Sequence, residues 1–203
     1  MLTHIFTTPV LRDMVDLTPG QRAEICEHLL SLRAAGPGEQ MSNRGGWHSS
    51  GNLFGPEHRQ FPAMRGAVMK TLVQYIAEVF GHRGEIQLAV TGWTVVNRAG
   101  DYNLPHNHAA NLLSGALYLR VPEGMSGGEI VFQDPRLNLN AHQTEGMRRL
   151  NVKPPWTSPR FGLQPSVGEI IVFPAWLNHW VEPFQCDQPD ALRIVISFNC
   201  TVQ

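Results

Sequence analysis

From Glu85 onward the chain divides into short runs of β-branched, aromatic and aliphatic residues separated by Gly, Pro and Asn. They cover 86–97, 104–108, 112–121, 129–133, 161–164, 169–173, 179–184 and 192–202. This pattern constrains the fold more than any other feature. Parallel strands need crossovers of a dozen or more residues, usually helical, and most of these gaps are too short for one. Eight short strands with tight turns instead predict two antiparallel sheets packed as a jelly roll of the cupin type.

The first third reads differently. Thr18, Pro19 and Gln21 supply an N-cap, a first helical residue and a capping-box partner. Ala23, Cys26, Leu29, Leu30 and Arg33 follow at helical spacing until Gly36-Pro37-Gly38 ends the run. A second amphipathic stretch carries Met64, Ala67, Val68, Leu72, Tyr75, Ile76 and Val79 before Gly81. Both helices are expected on the outside of a sheet. Residues 39–60 read as a long ordered loop around Trp47, and 137–160 as a second excursion containing Pro154-Pro155-Trp156. The expected organisation is a single domain over 1–203, with a mostly helical part at 1–84 packing on a β core at 85–203. A length of 203 residues suits one core.

Composition removes several functions. A net charge of -1 with scattered Lys and Arg gives no footprint for nucleic acid or an anionic membrane. No apolar stretch is long enough to span a bilayer, and the N-terminus lacks a basic start followed by an apolar run, so a cytoplasmic location is expected. Three widely spaced cysteines, Cys26, Cys186 and Cys200, fit neither a disulfide framework nor a zinc site. The chain has nine His and five Trp, of which four of each lie between Trp93 and Trp180, and the search for chemistry centres there.

Three features in that region carry it. Pro105-His106-Asn107-His108 lies at the end of an expected strand, where alternate residues share a face, so both imidazoles could address one metal ion; two surface histidines are the plain alternative. His179 follows the apolar run 168–173 within Pro174-Ala175-Trp176-Leu177-Asn178-His179-Trp180-Val181-Glu182-Pro183, as either a ligand or a packing residue. Arg193 opens the otherwise apolar run 192–199. A buried Arg needs an anion, supplied by a ligand carboxylate or by an internal Asp or Glu.

As an ordered set, His106-Asn107-His108, Ser114-Gly115-Ala116-Leu117-Tyr118, Asp134-Pro135-Arg136, Phe173-Pro174 through Pro183, and Arg193 through Asn199 resemble the 2-oxoglutarate/iron(II) dioxygenase superfamily. The nearest resemblance is to a small bacterial group with an HxH, H and R pattern, and it covers about residues 93–200. It implies a mainly β fold with flanking helices, the double-stranded β-helix. It implies Fe(II) and 2-oxoglutarate as cofactors and hydroxylation of a small-molecule or peptide substrate with release of succinate and CO2. His106 and His179 match the two histidine ligands, Arg193 the partner of the distal carboxylate of 2-oxoglutarate, and Tyr118 a tyrosine that often bonds the same group. His108 stands where an Asp or Glu usually completes the ligand set. It is the expected third ligand, with Asp134 the nearest carboxylate alternative. Free imidazole titrates near ~6.5, so iron affinity is expected to fall through the weakly acidic range.

Two other readings stay open. A cupin-like metalloenzyme with three histidines would not need Arg193 and would not use 2-oxoglutarate. A binding or sensor module on the same fold would keep the barrel without catalysis. The primary substrate and the oligomeric state are not legible in the residues.

Overall fold

The computed structural model describes the chain except residues 2, 4, 60, 137–140, 154 and 155, and the side chains of 141–144. Two sheets face one another. The larger has the order β1-β10-β6-β13-β4-β3, from Leu11–Met14 (β1), Glu169–Pro174 (β10), Leu113–Arg120 (β6), Arg193–Val202 (β13), Leu88–Asn97 (β4) and Trp47–His48 (β3). The smaller has the order β2-β5-β11-β8-β9, from Asn43–Arg44 (β2), Tyr102–His106 (β5), His179–Val181 (β11), Ile130–Gln133 (β8) and Arg160–Leu163 (β9). Ser126–Gly127 (β7) and Phe184–Gln185 (β12) form a separate ribbon. Every pairing in the two sheets is antiparallel. This is the double-stranded β-helix.

The period of two along each strand sorts the core into two layers. Ile170 and Val172 of β10, Leu117 and Leu119 of β6, and Ile194 and Ile196 of β13 face outward into one apolar cluster. That cluster is closed by the helices Pro19–Ala35 (α1) and Pro62–Val79 (α2) through Ile25, Leu29, Met64, Val68 and Leu72. Ile171 and Phe173, Ala116 and Tyr118, and Val195 face the opposite way, between the sheets. By the same parity Arg193 also points between the sheets.

The α1 start follows the sequence: Gln21 N donates to Thr18 Oγ1 (3.2 Å) and Thr18 N to Gln21 Oε1 (2.9 Å), a capping box worth about 1 kcal/mol. The region before Glu85 is less purely helical than expected. β1 extends the large sheet along β10, and the segment around Trp47 is a connection between sheets, with β2 pairing to β5 and β3 to β4. Two-residue strands leave no periodicity to read. The excursion at 137–160 contains a helix, Ala141–Arg149 (α3), while its residues 137–140 and Pro154-Pro155 lie outside the described residues. No helix among the described residues is long and apolar enough to cross a membrane.

Candidate metal and cofactor site

His106, His108 and His179 come together between the sheets, with one ring nitrogen from each lying within 4.8 Å of the others. Ring centroids are 4.4 Å apart for His106 and His179, 4.9 Å for His106 and His108, and 5.4 Å for His108 and His179. His106 ends β5 and His179 begins β11, and the two are cross-strand partners. His108 reaches the same point by another route than the expected one. It lies beyond the end of β5, so strand alternation does not aim it; its backbone N–H donates to Ala175 O (2.8 Å) and its carbonyl accepts from Asn111 N (2.8 Å), which fixes the turn.

Hydrogen bonds orient the rings. His106 Nδ1 donates to Leu104 O (2.7 Å) and His179 Nδ1 to Leu177 O (2.9 Å), so each ring keeps its Nε2 lone pair free for a metal. Burial holds His106 below the ordinary imidazole range. Burial and the neighbouring His106 push His108 down to about 4, and burial followed by His106 pushes His179 down to about 3. Three neutral imidazoles at one point form a donor set that fits a divalent transition metal.

A cavity of about 630 Å³ runs from the triad to Arg193 and Tyr118. Arg193 is 2% exposed. Its Nη1 donates to Gly128 O (2.8 Å), its guanidinium lies 5.5 Å from the Phe184 ring centroid, and its Nε has no hydrogen-bond partner. Among the described residues no carboxylate forms an ion pair with it. Burial pulls its pKa down, against the pull of Tyr118 and Asp101. A buried charge stripped of its partner costs about 3–5 kcal/mol, so this end of the cavity is built to take an anion. Gly128 has φ +76°, and a Cβ there would stand 2.9 Å from Arg193 Nη1 and 3.0 Å from Phe184 Cβ, so the Arg193 contact depends on a residue without a side chain. Tyr118 is 2% exposed and burial pushes its phenol up to about 12, which keeps it a neutral hydroxyl.

Asp134 is placed elsewhere. Its carboxylate accepts from Arg136 Nε (2.9 Å) and Nη2 (2.6 Å), and it lines a different cavity. Trp47, Trp156 and Trp176 do not line the triad cavity; Trp47 is buried and donates to Gly36 O (3.0 Å). The aromatic wall is Trp93, 5.7 Å from His108 and stacked at 5.5 Å on His48, whose Nδ1 donates to Ser49 O (2.8 Å). Ser42 lies 3.5 Å from His106 Nε2. Neither Ser42 nor His48 belongs to a motif. A lone serine carries no sequence signal, and the isolated His48 could have been found only through its chance to pair with β4.

The family model described as "Putative 2OG-Fe(II) oxygenase" matches residues 91–199, more than half of the chain. The chain belongs to the 2-oxoglutarate and Fe(II)-dependent oxygenase family. Its cofactors are accordingly Fe(II) and 2-oxoglutarate. No curated protein matches the sequence. Among solved structures, a Pseudomonas putida prolyl-4-hydroxylase superposes with a TM-score of 0.65 at 13% identity, over 97% of this chain and 94% of that one. A prolyl hydroxylase from Trichoplax adhaerens, in complex with a hypoxia inducible factor oxygen degradation domain peptide fragment, gives 0.63 at 13%, over 95% and 83%. The non-heme alpha ketoglutarate dependent epimerase SnoN from nogalamycin biosynthesis gives 0.60 at 16%, over 95% and 78%. At these identities the likeness is one of fold.

Proposed function

We propose that this oxygenase is a hydroxylase whose iron is held by His106, His108 and His179 and whose 2-oxoglutarate is anchored by Arg193 and Tyr118. The observation that carries this reading is the buried Arg193, facing the same cavity as the triad with no carboxylate partner among the described residues. With both cofactors bound, oxidative decarboxylation of the oxoacid consumes one O2 and leaves one oxygen atom in succinate and one for a substrate C–H bond, with CO2 released.

The residues divide the remaining work. Leu104 and Leu177 carbonyls hold the His106 and His179 rings so that their Nε2 atoms face one centre. Arg193 and the neutral hydroxyl of Tyr118 offer donors to the distal carboxylate and fix the direction in which the oxoacid lies. The apolar walls Val95, Ala116, Ile130, Phe173 and Val195 exclude water from the space between. Trp93 and His48 line the cavity beside His108, where a substrate would lie. The substrate is a small molecule or a peptide, since similarly folded proteins include one bound to a peptide fragment and one epimerase of a biosynthetic pathway. The full 203 residues act as one domain, because β1 to β3 complete the sheets that carry the site. The three free cysteines support a cytoplasmic location.

The cupin-like reading with three histidines and no 2-oxoglutarate gives the buried Arg193 no task. The decisive experiment supplies Fe(II), O2 and 2-oxoglutarate with pools of peptides and small molecules and reads mass. A product one oxygen atom heavier than its precursor, formed in step with succinate, supports hydroxylation. Isomerised or ring-closed products would show the same family chemistry with a different outcome and reject the hydroxylase reading.

A further inference from the structure

Ser42 is held in place from two directions. Leu104 N donates to its carbonyl (2.9 Å), and Asn103 Nδ2 donates to its hydroxyl (3.2 Å). It directly precedes β2, which pairs with β5, the strand ending in His106. Its Oγ lies 3.5 Å from His106 Nε2, and both Ser42 and Asn103 line the triad cavity.

A hydroxyl has one proton to donate as well as lone pairs to accept with. Asn103 occupies a lone pair. Among the described residues the acceptor in reach of the proton is His106 Nε2, at the outer limit of hydrogen-bond distance. His106 Nδ1 is already donating to Leu104 O, so Nε2 is the nitrogen a metal takes. With that lone pair given to a metal, the Ser42 proton would lose this acceptor, and an oxygen of the oxoacid beside His106 would supply another.

We infer that Ser42 is a 2-oxoglutarate-binding residue, its hydroxyl donating to the oxoacid end of the cofactor beside His106 while Arg193 holds the far carboxylate. Asn103 is the positioning residue that keeps the hydroxyl turned to the cavity. This inference rests on the ligand set proposed above. It adds a contact from the connection between the two sheets, so that cofactor binding also ties β2 to the metal.

The test is calorimetric titration of 2-oxoglutarate into the Mn(II)-loaded full chain without oxygen, for wild type, Ser42→Ala and Ser42→Thr. It is paired with the visible charge-transfer absorption of the anaerobic Fe(II) and 2-oxoglutarate complex. Loss of a hydrogen bond to a charged group weakens binding by about tenfold to a hundredfold. Ser42→Ala is therefore expected to lose affinity on that scale and to shift the absorption band, with Mn(II) affinity unchanged and Ser42→Thr restoring both. Unaltered 2-oxoglutarate affinity and band position in Ser42→Ala would overturn the inference, and so would loss of Mn(II) binding itself, which would make Ser42 a support for His106. Wild type that binds Mn(II) but no 2-oxoglutarate would instead bring down the proposed function on which the inference rests.

Discussion

His106 and His179 face one another across adjacent strands, one closing β5 and the other opening β11, with ring centroids 4.4 Å apart. Each is braced by its own Nδ1 bond to the carbonyl two residues before it. The sheet thus sets the separation of the two proposed ligands before any metal arrives. His106→Ala and His179→Ala are expected to lower iron affinity by more than the tenfold to about a hundredfold typical of residues that only orient a ligand. Both variants should keep a cooperative melt, because strand ends tolerate truncation better than the layer of Ile170 and Ile196. Iron affinity by competition with a chromogenic chelator checks this, and stoichiometric iron in either variant would remove that ligand.

Arg193→Ala should weaken 2-oxoglutarate binding by about 2–5 kcal/mol, the range for truncating one partner of a desolvated charge pair. Gly128→Ala should weaken it in the same direction, since its Cβ would press on Arg193 Nη1 from a backbone at φ +76°. Isothermal titration separates this from an exposed ion pair, worth about 0–1 kcal/mol.

His108→Ala should lose iron affinity, His108→Asp should retain it, and Asp134→Ala should leave it unchanged. The Asp134 carboxylate is committed to Arg136, and the same hydrogen bonds hold its pKa low. Three neutral imidazoles leave the metal its full double charge, so His108→Asp should also bind the doubly anionic 2-oxoglutarate more weakly than wild type. Loss of iron in Asp134→Ala would reverse the assignment.

The pH dependence follows from the depressed imidazoles. Below about pH 6.5 the unfolded chain takes up protons on these three histidines more readily than the folded apoprotein, in which burial holds His106 below the ordinary range, His108 at about 4 and His179 at about 3. The unfolded state then binds more protons, so apoprotein stability rises with pH across that window and falls as pH drops through it. Iron affinity of the folded protein should therefore begin to fall at a lower pH than free imidazole would give, because protons compete only near the lowered folded pKa values. This revises the expectation drawn from free imidazole. Chemical denaturation of the apoprotein and metal titration at matched pH distinguish the two curves.

Much of this was legible in the residues. The strand runs after Glu85 and the Thr18 capping box rest on periodicity and spacing, which a sequence carries directly, and the grouping of His106, His108, His179 and Arg193 rests on the resemblance of their ordered motifs to a known family. The sequence could not show how His108 reaches the site, because its position depends on Ala175 O, 67 residues away in the chain. It also could not show Ser42 and His48 as walls. They are brought in by β2 and β3, each two residues long, and strands that short have no pattern. Whether Arg193 has an internal carboxylate partner was also not legible; among the described residues none forms an ion pair with it.

Iron at the three histidines and 2-oxoglutarate at Arg193 are proposed to work as one centre. The most direct measurement is succinate formed from 2-oxoglutarate by the purified chain with Fe(II) in air, compared with the same protein without oxygen, without iron, and as His179→Ala and Arg193→Ala. The account predicts succinate that requires both iron and oxygen, is abolished in His179→Ala, and in Arg193→Ala is recovered only at much higher 2-oxoglutarate. Succinate formation unaffected by Arg193→Ala at low 2-oxoglutarate, or none from wild type with the substrate pools present, would contradict it.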